Sequence, residues 1–406
     1  MRQALRGIAC AAMPPAPTTI PRPHAALRLA LGGLLAMATA LGIGRFAYTP
    51  ILPPMSEALG WSKTDAGLVA SANLVGYLAG ALWAARPIAP GSRRRWLLAA
   101  LAASGATTAG MGLTDSLFMH MGLRLLGGVA SAFVIVLASS LVLERLARTG
   151  SNLSAVHFAG VGTGIAVSAV VVSALDASGA GWQAAWLVAG AIGLAAAAGV
   201  ALLVPEDGPE PAAAAAKAAP ASTSREAGGL GYIILAYGLF GFGYIITATF
   251  LISIVRTASE LRELEPWVWI VVGCAAVPSV ALWTWIGSRL GLTAGLAIAC
   301  AAEAVGVAAS VEWLTAAGVF VSAVLLGGTF MGITALGLMA ARQASPGDAQ
   351  RAMGLMTASF ATGQMIGPTF AGLLYESLGS FRLPTLAAAG ALAAAALLAI
   401  AARRKG

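Results

Sequence analysis

Stretches of roughly 20 residues with almost no charge recur from residue 29 to residue 402, divided by short polar loops. A helix of that length crosses the ~30 Å hydrocarbon core of a bilayer. Charge, glycine and proline mark the segments off near 29–53, 66–88, 96–114, 117–143, 154–175, 183–204, 231–255, 266–287, 292–311, 314–340, 352–375 and 383–402. Only 10% of the residues are charged and 59% are hydrophobic, against about 25% charge in a soluble domain. The expected fold class is therefore an all-α polytopic membrane protein. Lysine and arginine outnumber the acids, 24 to 16, but they fall mostly in short loops. That placement reports membrane orientation and excludes a nucleic-acid footprint.

Twelve spans leave both termini on one side. The tail, alternate loops and C-terminus carry Arg2, Arg6, Arg22, Arg28, Arg86, Arg93, Arg94, Arg95, Arg145 and Arg148, then Lys217, Arg225, Arg289, Arg342, Arg351, Arg403, Arg404 and Lys405. The opposite loops carry only Lys63, Arg256, Arg262 and Arg382. The positive-inside rule then sets both termini on the cytoplasmic side; the expected location is a bacterial inner membrane. Residues 1–27, with Pro14, Pro15, Pro17, Pro21 and Pro23, read as a disordered cytoplasmic tail and not as a cleaved signal. Residues 205–229 are rich in alanine and proline with mixed charge, the composition of a flexible linker. They separate an N-terminal bundle at 28–204 from a C-terminal bundle at 230–406. Cys10, Cys274 and Cys300 make no pair at motif spacing, so neither a metal site, a disulfide framework nor a cofactor is indicated.

The two bundles repeat at an offset of about 200 residues. Gly42-Ile43-Gly44 matches Gly241-Phe242-Gly243, and Ala81-Leu82-Trp83 matches Ala281-Leu282-Trp283. Leu125-Leu126-Gly127-Gly128 recurs as Leu325-Leu326-Gly327-Gly328, and Thr163-Gly164 as Thr362-Gly363. Two parallel six-helix repeats describe the major facilitator fold, with a substrate site between the halves near the midplane. Three blocks resemble the YbfB/YjiJ-type branch of that superfamily: GIGRFAYTPILPPM from Gly42, GWSKTDAGLVASANLVGYLAGAL from Gly60, and ATGQMIGPTFAGLL from Ala361. The resemblance spans roughly residues 29–402 and implies a secondary active transporter, which is not an enzyme. Superfamily patterns are only partly kept. GALWAARPIAPGSRRR retains the basic cluster after the second span but lacks the acidic gate residue. The fourth span retains Arg124-Leu-Leu-Gly-Gly. The antiporter-like G-x-x-x-G-P is missing from the fifth span and stands instead in the eleventh, as Gly363…Gly367-Pro368, which leaves the direction of transport open.

Arg45 is the one charge in the first span's apolar core, and hydrocarbon cannot solvate it. Tyr48 and Thr49 follow at i+3 and i+4, on the same face of a regular helix. Together they can clamp a carboxylate, with arginine supplying a fork of donors. The competing reading has Arg45 snorkel outward or bind backbone carbonyls at the Pro50 break. The resemblance ties Arg124 to proton coupling, while burial alone requires only an ion pair or a carbonyl clamp. Glu303, the only carboxylate deep in a span, either carries a coupling proton or packs as a protonated group. His157 starts the fifth span and is either pH-responsive or simply a satisfied polar residue.

Asn73 and Tyr77 form an i, i+4 pair on the second span, as do Phe360 and Gln364 on the eleventh. Tyr244 occupies the repeat position of Arg45, with Tyr237 before it and Thr247 after it on the same face. Each of these polar groups is either a binding residue or interhelical glue. Gly160-x-x-x-Gly164 and Gly363-x-x-x-Gly367 offer flat faces for close helix contact, and Pro278 and Pro368 allow bending.

The sequence thus predicts a transporter of a small organic solute, anionic in its sharper form, that couples to protons and works by rocking of two halves. Arg45, Tyr48, Asn73 and Tyr77 would bind from the N-half, and Tyr244, Thr247 and Gln364 from the C-half. The expected partners are the substrate, protons and the lipid bilayer, in a monomer. Two rivals stand: an exporter of drugs or hydrophobic metabolites with an aromatic-dominated pocket, and a non-transporting sensor or scaffold. The chain has no HExxH, nucleophile elbow or phosphate-binding P-loop, which argues against a membrane-embedded hydrolase and excludes a self-contained ATP-driven pump.

Overall fold

Inside hydrocarbon every backbone N–H and C=O must be satisfied within the chain, so apolar spans are forced into helices. The computed structural model describes residues 23–84, 86, 93–148, 153–206, 227–345 and 348–404. Most of the expected tail and most of the expected linker, residues 1–22 and 207–226, lie outside them, while residues 23–27, expected to end the disordered tail, open the first helix. The described residues form twelve helical rods. The first, α1, is in pieces: α1a (Pro23–Met37), a π-helical segment (Ala38–Ile43) and α1b (Tyr48–Leu59). There follow α2 (Lys63–Ala84), α3 (Arg93–Gly110), α4 (Leu117–Arg148), α5 (Ser154–Ala177) and α6 (Trp182–Leu203). The second set is α7 (Ala227–Thr257), α8a (Glu265–Ala276) with α8b (Ser279–Leu290), α9 (Leu292–Glu312), α10 (Ala316–Gln343), α11 (Ala349–Leu378) and α12 (Arg382–Arg403).

Ten of the rods are long and apolar enough to span a bilayer, and α8a with α8b, bent by 45° just before Pro278, makes an eleventh. α11 has the length, 30 residues, but Thr357, Ser359, Thr362 and Gln364 dilute its apolarity. It packs between α7 and α2, where part of its surface never meets lipid. Exposed Trp83, Trp96 and Trp285 ring the face bearing the termini, and Trp267 and Trp313 ring the opposite, far face. Tryptophan gathers at both interfaces of a membrane in this way.

The first span departs from the single helix expected over 29–53. It covers 36 residues, His24–Leu59, and breaks at the turn Gly44–Ala47. The Gly44 N–H reaches back to the Thr39 carbonyl at 2.8 Å, the wider loop of a π-turn. Pro50, one residue pair beyond the turn, has no N–H to give the Phe46 carbonyl. The Thr49 N–H closes on Phe46 at 3.3 Å instead, which leaves the Arg45 carbonyl without its regular helical donor.

The sequence repeat is a repeat of packing. α1 lies on α5 as α7 lies on α11, α2 on α4 as α8 on α10, and α3 on α6 as α9 on α12. The halves then join through two equivalent pairs, α2 with α11 and α5 with α8, and through α1b with α7 along the centre. Three central contacts link residues 199 apart in sequence: Arg45 with Tyr244, Thr49 with the Ala248 carbonyl at 2.6 Å, and Glu57 with Arg256 at 3.1 Å. The repeat offset is thus also the contact offset, and equivalent residues meet on the pseudo-twofold axis.

These cross-half contacts run from the midplane to the far face. The Ser71 hydroxyl lies 2.9 Å from both the Met365 carbonyl and the Thr369 hydroxyl, and the Lys63 N–H donates to Glu376 at 2.8 Å. Gly67 lets α2 rest directly on the Pro368 carbonyl, and Gly162 lets α5 rest on the α8 backbone at Gly273 and Val277. On the terminal side, α1a packs on α4, α5 and α6 of its own half.

Candidate functional site

The break in α1 delivers Arg45 to the seam between the halves. Its side chain is 6% exposed, and Nη2 donates to the Tyr244 hydroxyl at 3.1 Å. Gln364 Nε2 donates to the same hydroxyl oxygen, so α1, α7 and α11 converge on one point. The guanidinium lies 5.3 Å from the ring centroids of both Phe46 and Tyr77. Arg45 Nε and Gln364 Oε1 are buried and have no partner. Among the described residues no carboxylate pairs with Arg45. Its charge rests on one hydroxyl and two ring faces, a weak substitute for a counter-ion.

Arg124 sits beside it with a different task. Nη1 donates to the Gly44 carbonyl at 2.9 Å and Nη2 to the Arg45 carbonyl at 3.2 Å. These are the carbonyls of the α1 break, one of them left without its helical donor. The guanidinium also lies 4.8 Å from the Tyr48 ring centroid. Arg124 is a clamp that holds the break open and so sets where Arg45 points. Two charge-assisted bonds are each worth ~1.5–3 kcal/mol, so Arg124→Ala is expected to destabilise the protein by about 3 kcal/mol or more. Arg124→Lys, with a single ammonium for two carbonyls, should recover only part of this. Denaturant unfolding in detergent micelles checks it. Wild-type stability in Arg124→Ala would leave the clamp without an energetic role.

The other expected residues divide clearly. Tyr77, Tyr244 and Gln364 gather around Arg45. Tyr48 does not share its clamp, because its hydroxyl donates to the Ala66 carbonyl at 2.8 Å and its ring lies under Arg124. Asn73 supports Arg124, giving Nδ2 to that residue's own carbonyl at 2.8 Å. Thr247 is fully buried, with no partner for its hydroxyl. Arg45 does not snorkel to the surface.

A small cavity of about 20 Å³ is lined by Arg45, Tyr48, Thr49, Asn73, Arg124 and Thr249, among others. That is room for about one water.

Glu303 is fully buried in α9 and forms no ion pair with either arginine. His157 packs inside the N-half, with Nε2 3.1 Å from the Ser139 hydroxyl and its ring against Gly33 of α1a and Phe158. Gly160 and Gly164 seat α5 on Leu34, Ala38 and Gly42 of α1, and Gly363 and Gly367 seat α11 on Gly238, Phe242 and Ile245 of α7. Both pairs therefore hold equivalent helices within a half, while Pro368 turns its carbonyl across the seam to Gly67.

Sequence reasoning missed an aromatic layer. Tyr244 lies 5.9 Å from Phe330 at 9° and 5.9 Å from Phe360 at 4°, with Phe240 at 5.0 Å and 22°. Tyr237 stacks on Phe360 at 4.8 Å. The spacing of Tyr237, Phe240 and Tyr244 along α7 hinted at one face, but Phe330 and Phe360 join it only through the fold. A second small cavity, about 10 Å³, adjoins Tyr244 and is lined by Phe46, Trp269, Phe330 and aliphatic neighbours.

The sequence profile of a family described as the uncharacterised MFS-type transporter YbfB matches residues 37–400. No curated protein matches the chain in sequence. Among solved structures, a variant of the nucleoside transporter NupG aligns with a TM-score of 0.69 at 15% identity, over 94% of this chain and 99% of its own. A bacterial homologue of the human lysosomal transporter Spinster, inward-facing and unoccupied, aligns with a TM-score of 0.67 at 16% identity, over 94% and 97%. At such identities the likeness is one of fold.

Proposed function

The chain belongs to the YbfB-type family of major facilitator superfamily transporters, and we propose that it carries a small organic anion across the bacterial inner membrane by proton-coupled alternating access. One observation carries this reading: a buried guanidinium on the axis between the halves, with no acid among the described residues to neutralise it. Buried charges are paired or exact a heavy cost. An anionic substrate supplies the missing charge, taking Arg45 from the N-half and Tyr244 with Gln364 from the C-half. Tyr77 completes the cage. Because the ligand bridges both halves, it binds one arrangement of them better than another, which is what population shift requires.

The closed seam at the far face, with α1a packed chiefly on α4, α5 and α6 of its own half, fits a carrier loaded from the side of the termini. The loop charges make that side the cytoplasm, and the inward-facing Spinster homologue has the same fold. Glu303, buried and unpaired with any cation, is the carboxyl available to take a coupling proton. Both walls of the site come from one chain, so a monomer suffices.

Flux in proteoliposomes tests the proposal. Organic acids from a broad metabolite panel are expected to accumulate or exit when a pH gradient is imposed, and to stop when it is collapsed. Flux of acids that ignores the gradient would remove the proton. Absence of any flux would remove the transporter reading and favour a sensor.

A further inference from the structure

We infer that the substrate of this site is an aromatic monocarboxylate, a flat ring bearing one acidic group. The inference rests on the anion reading above and narrows it from three independent observations.

The first concerns charge. Two guanidinium groups lie near the seam, and they differ in how their terminal nitrogens are used. Arg124 spends both on the Gly44 and Arg45 carbonyls, while Arg45 gives one to a single tyrosine hydroxyl; the Nε of each is buried and without a partner. One available fork matches one carboxylate. A dianion would bring a second charge into a buried place where the second cation, Arg124, is already committed to backbone carbonyls.

The second concerns shape. The Phe330 and Phe360 rings each lie within 9° of the Tyr244 plane, at matching centroid separations of 5.9 Å from it. Parallel, offset faces of this kind accept another flat ring by stacking. Tyr244 is both the middle plate and the group that now occupies Arg45, so the protein's own phenol holds the position of an aromatic ligand. A substrate carboxylate that displaces the Tyr244 hydroxyl from Arg45 arrives with its ring already beside these plates. The small apolar cavity beside Tyr244, walled by Phe46, Trp269 and Phe330, shows where the layer has slack.

The third concerns what is missing. On the Tyr244 side of Arg45 the walls are Phe46, Phe330 and aliphatic side chains, with Gln364, the tyrosine hydroxyls and the Trp269 Nε1 as the polar groups, while Thr49 and Asn73 on the Arg124 side already bond backbone carbonyls. A sugar or nucleoside would leave several hydroxyls there without partners, and a site made of rings rejects such a ligand. Aromatic rings, expected around an exporter's substrate, and an arginine, expected of an anion carrier, lie side by side here, and an arylcarboxylate suits both.

Binding to the purified full-length protein, measured by thermal shift and calorimetry, separates the classes. The probes are benzoate, 2-naphthoate, cyclohexanecarboxylate, benzamide and phthalate. Benzoate or 2-naphthoate is expected to bind at least tenfold more tightly than cyclohexanecarboxylate, and benzamide and phthalate should give no shift. Phe360→Leu or Phe330→Leu should reduce arylcarboxylate affinity to the level of cyclohexanecarboxylate in protein that remains monodisperse. If cyclohexanecarboxylate matches the arylcarboxylates and its binding depends on Arg45, the aromatic class is wrong and the anion reading survives. If benzamide binds as well as benzoate, or no carboxylate shows dependence on Arg45, the anion reading itself falls.

Discussion

Arg45→Ala is expected to abolish substrate binding and to leave the protein at least as stable as the wild type. The two effects have opposite signs for one reason. Removing one partner of a buried, hydrogen-bonded charge pair costs ~2–5 kcal/mol of binding, a loss of about 30-fold to several thousand-fold in affinity. In the empty protein the same charge lacks a counter-ion, so its removal relieves a burial cost while giving up one hydrogen bond to Tyr244. Arg45→Lys should also fail to bind, because an ammonium cannot replace the fork. Ligand titration and denaturant unfolding on the same preparations read both quantities. A variant that binds normally but unfolds more easily would make Arg45 a structural residue.

Gly67→Leu is expected to hold the far face apart. A Cβ at Gly67 would fall under 3.0 Å from the Pro368 carbonyl oxygen, and that neighbour is backbone, which cannot rotate away. Overpacking of a close contact costs ~1–3 kcal/mol, which shifts the balance between far-face-closed and far-face-open forms by about 5- to 150-fold. Spin labels or a cysteine at Thr369, which meets Ser71 across the seam, report the opening. In protein stripped of its native cysteines, the Thr369 position should become reactive in the Gly67→Leu background. Gly354, with open space around it, provides the control: Gly354→Ala should leave reactivity at the wild-type level. Equal protection in all three proteins would mean that this contact does not set the closed state.

The architecture was legible because bilayer thickness acts on length and apolarity, both written along the chain. The repeat was legible for the same reason that its packing recurs. The site was legible only in part. Arg45, Tyr244 and Gln364 could be read from an isolated charge, a repeat position and a polar residue in an apolar span. Tyr48 was misplaced because i+3 spacing puts residues on one face only in a regular helix. Here Arg45 lies in the turn and Tyr48 opens the next helix, so the two side chains diverge. The role of Arg124 had no sequence signature, since its partners are backbone carbonyls exposed by a break in a different helix. Phe330 and Phe360 lie on rods that only tertiary packing brings to Tyr244.

The shared 199-residue register bears on how such a chain could arise. If two identical six-helix units once assembled about the same axis, position 45 of one would have faced position 45 of the other. Arginine there would have set two guanidinium groups against each other at hydrogen-bonding distance, and tyrosine there would have offered no cation. Only once the two units are encoded by separate copies, as the two halves of this chain are, can the position diverge, one to arginine and the other to tyrosine. Duplication is thus a precondition for the chemistry at this axis, and fusion holds the unlike halves together.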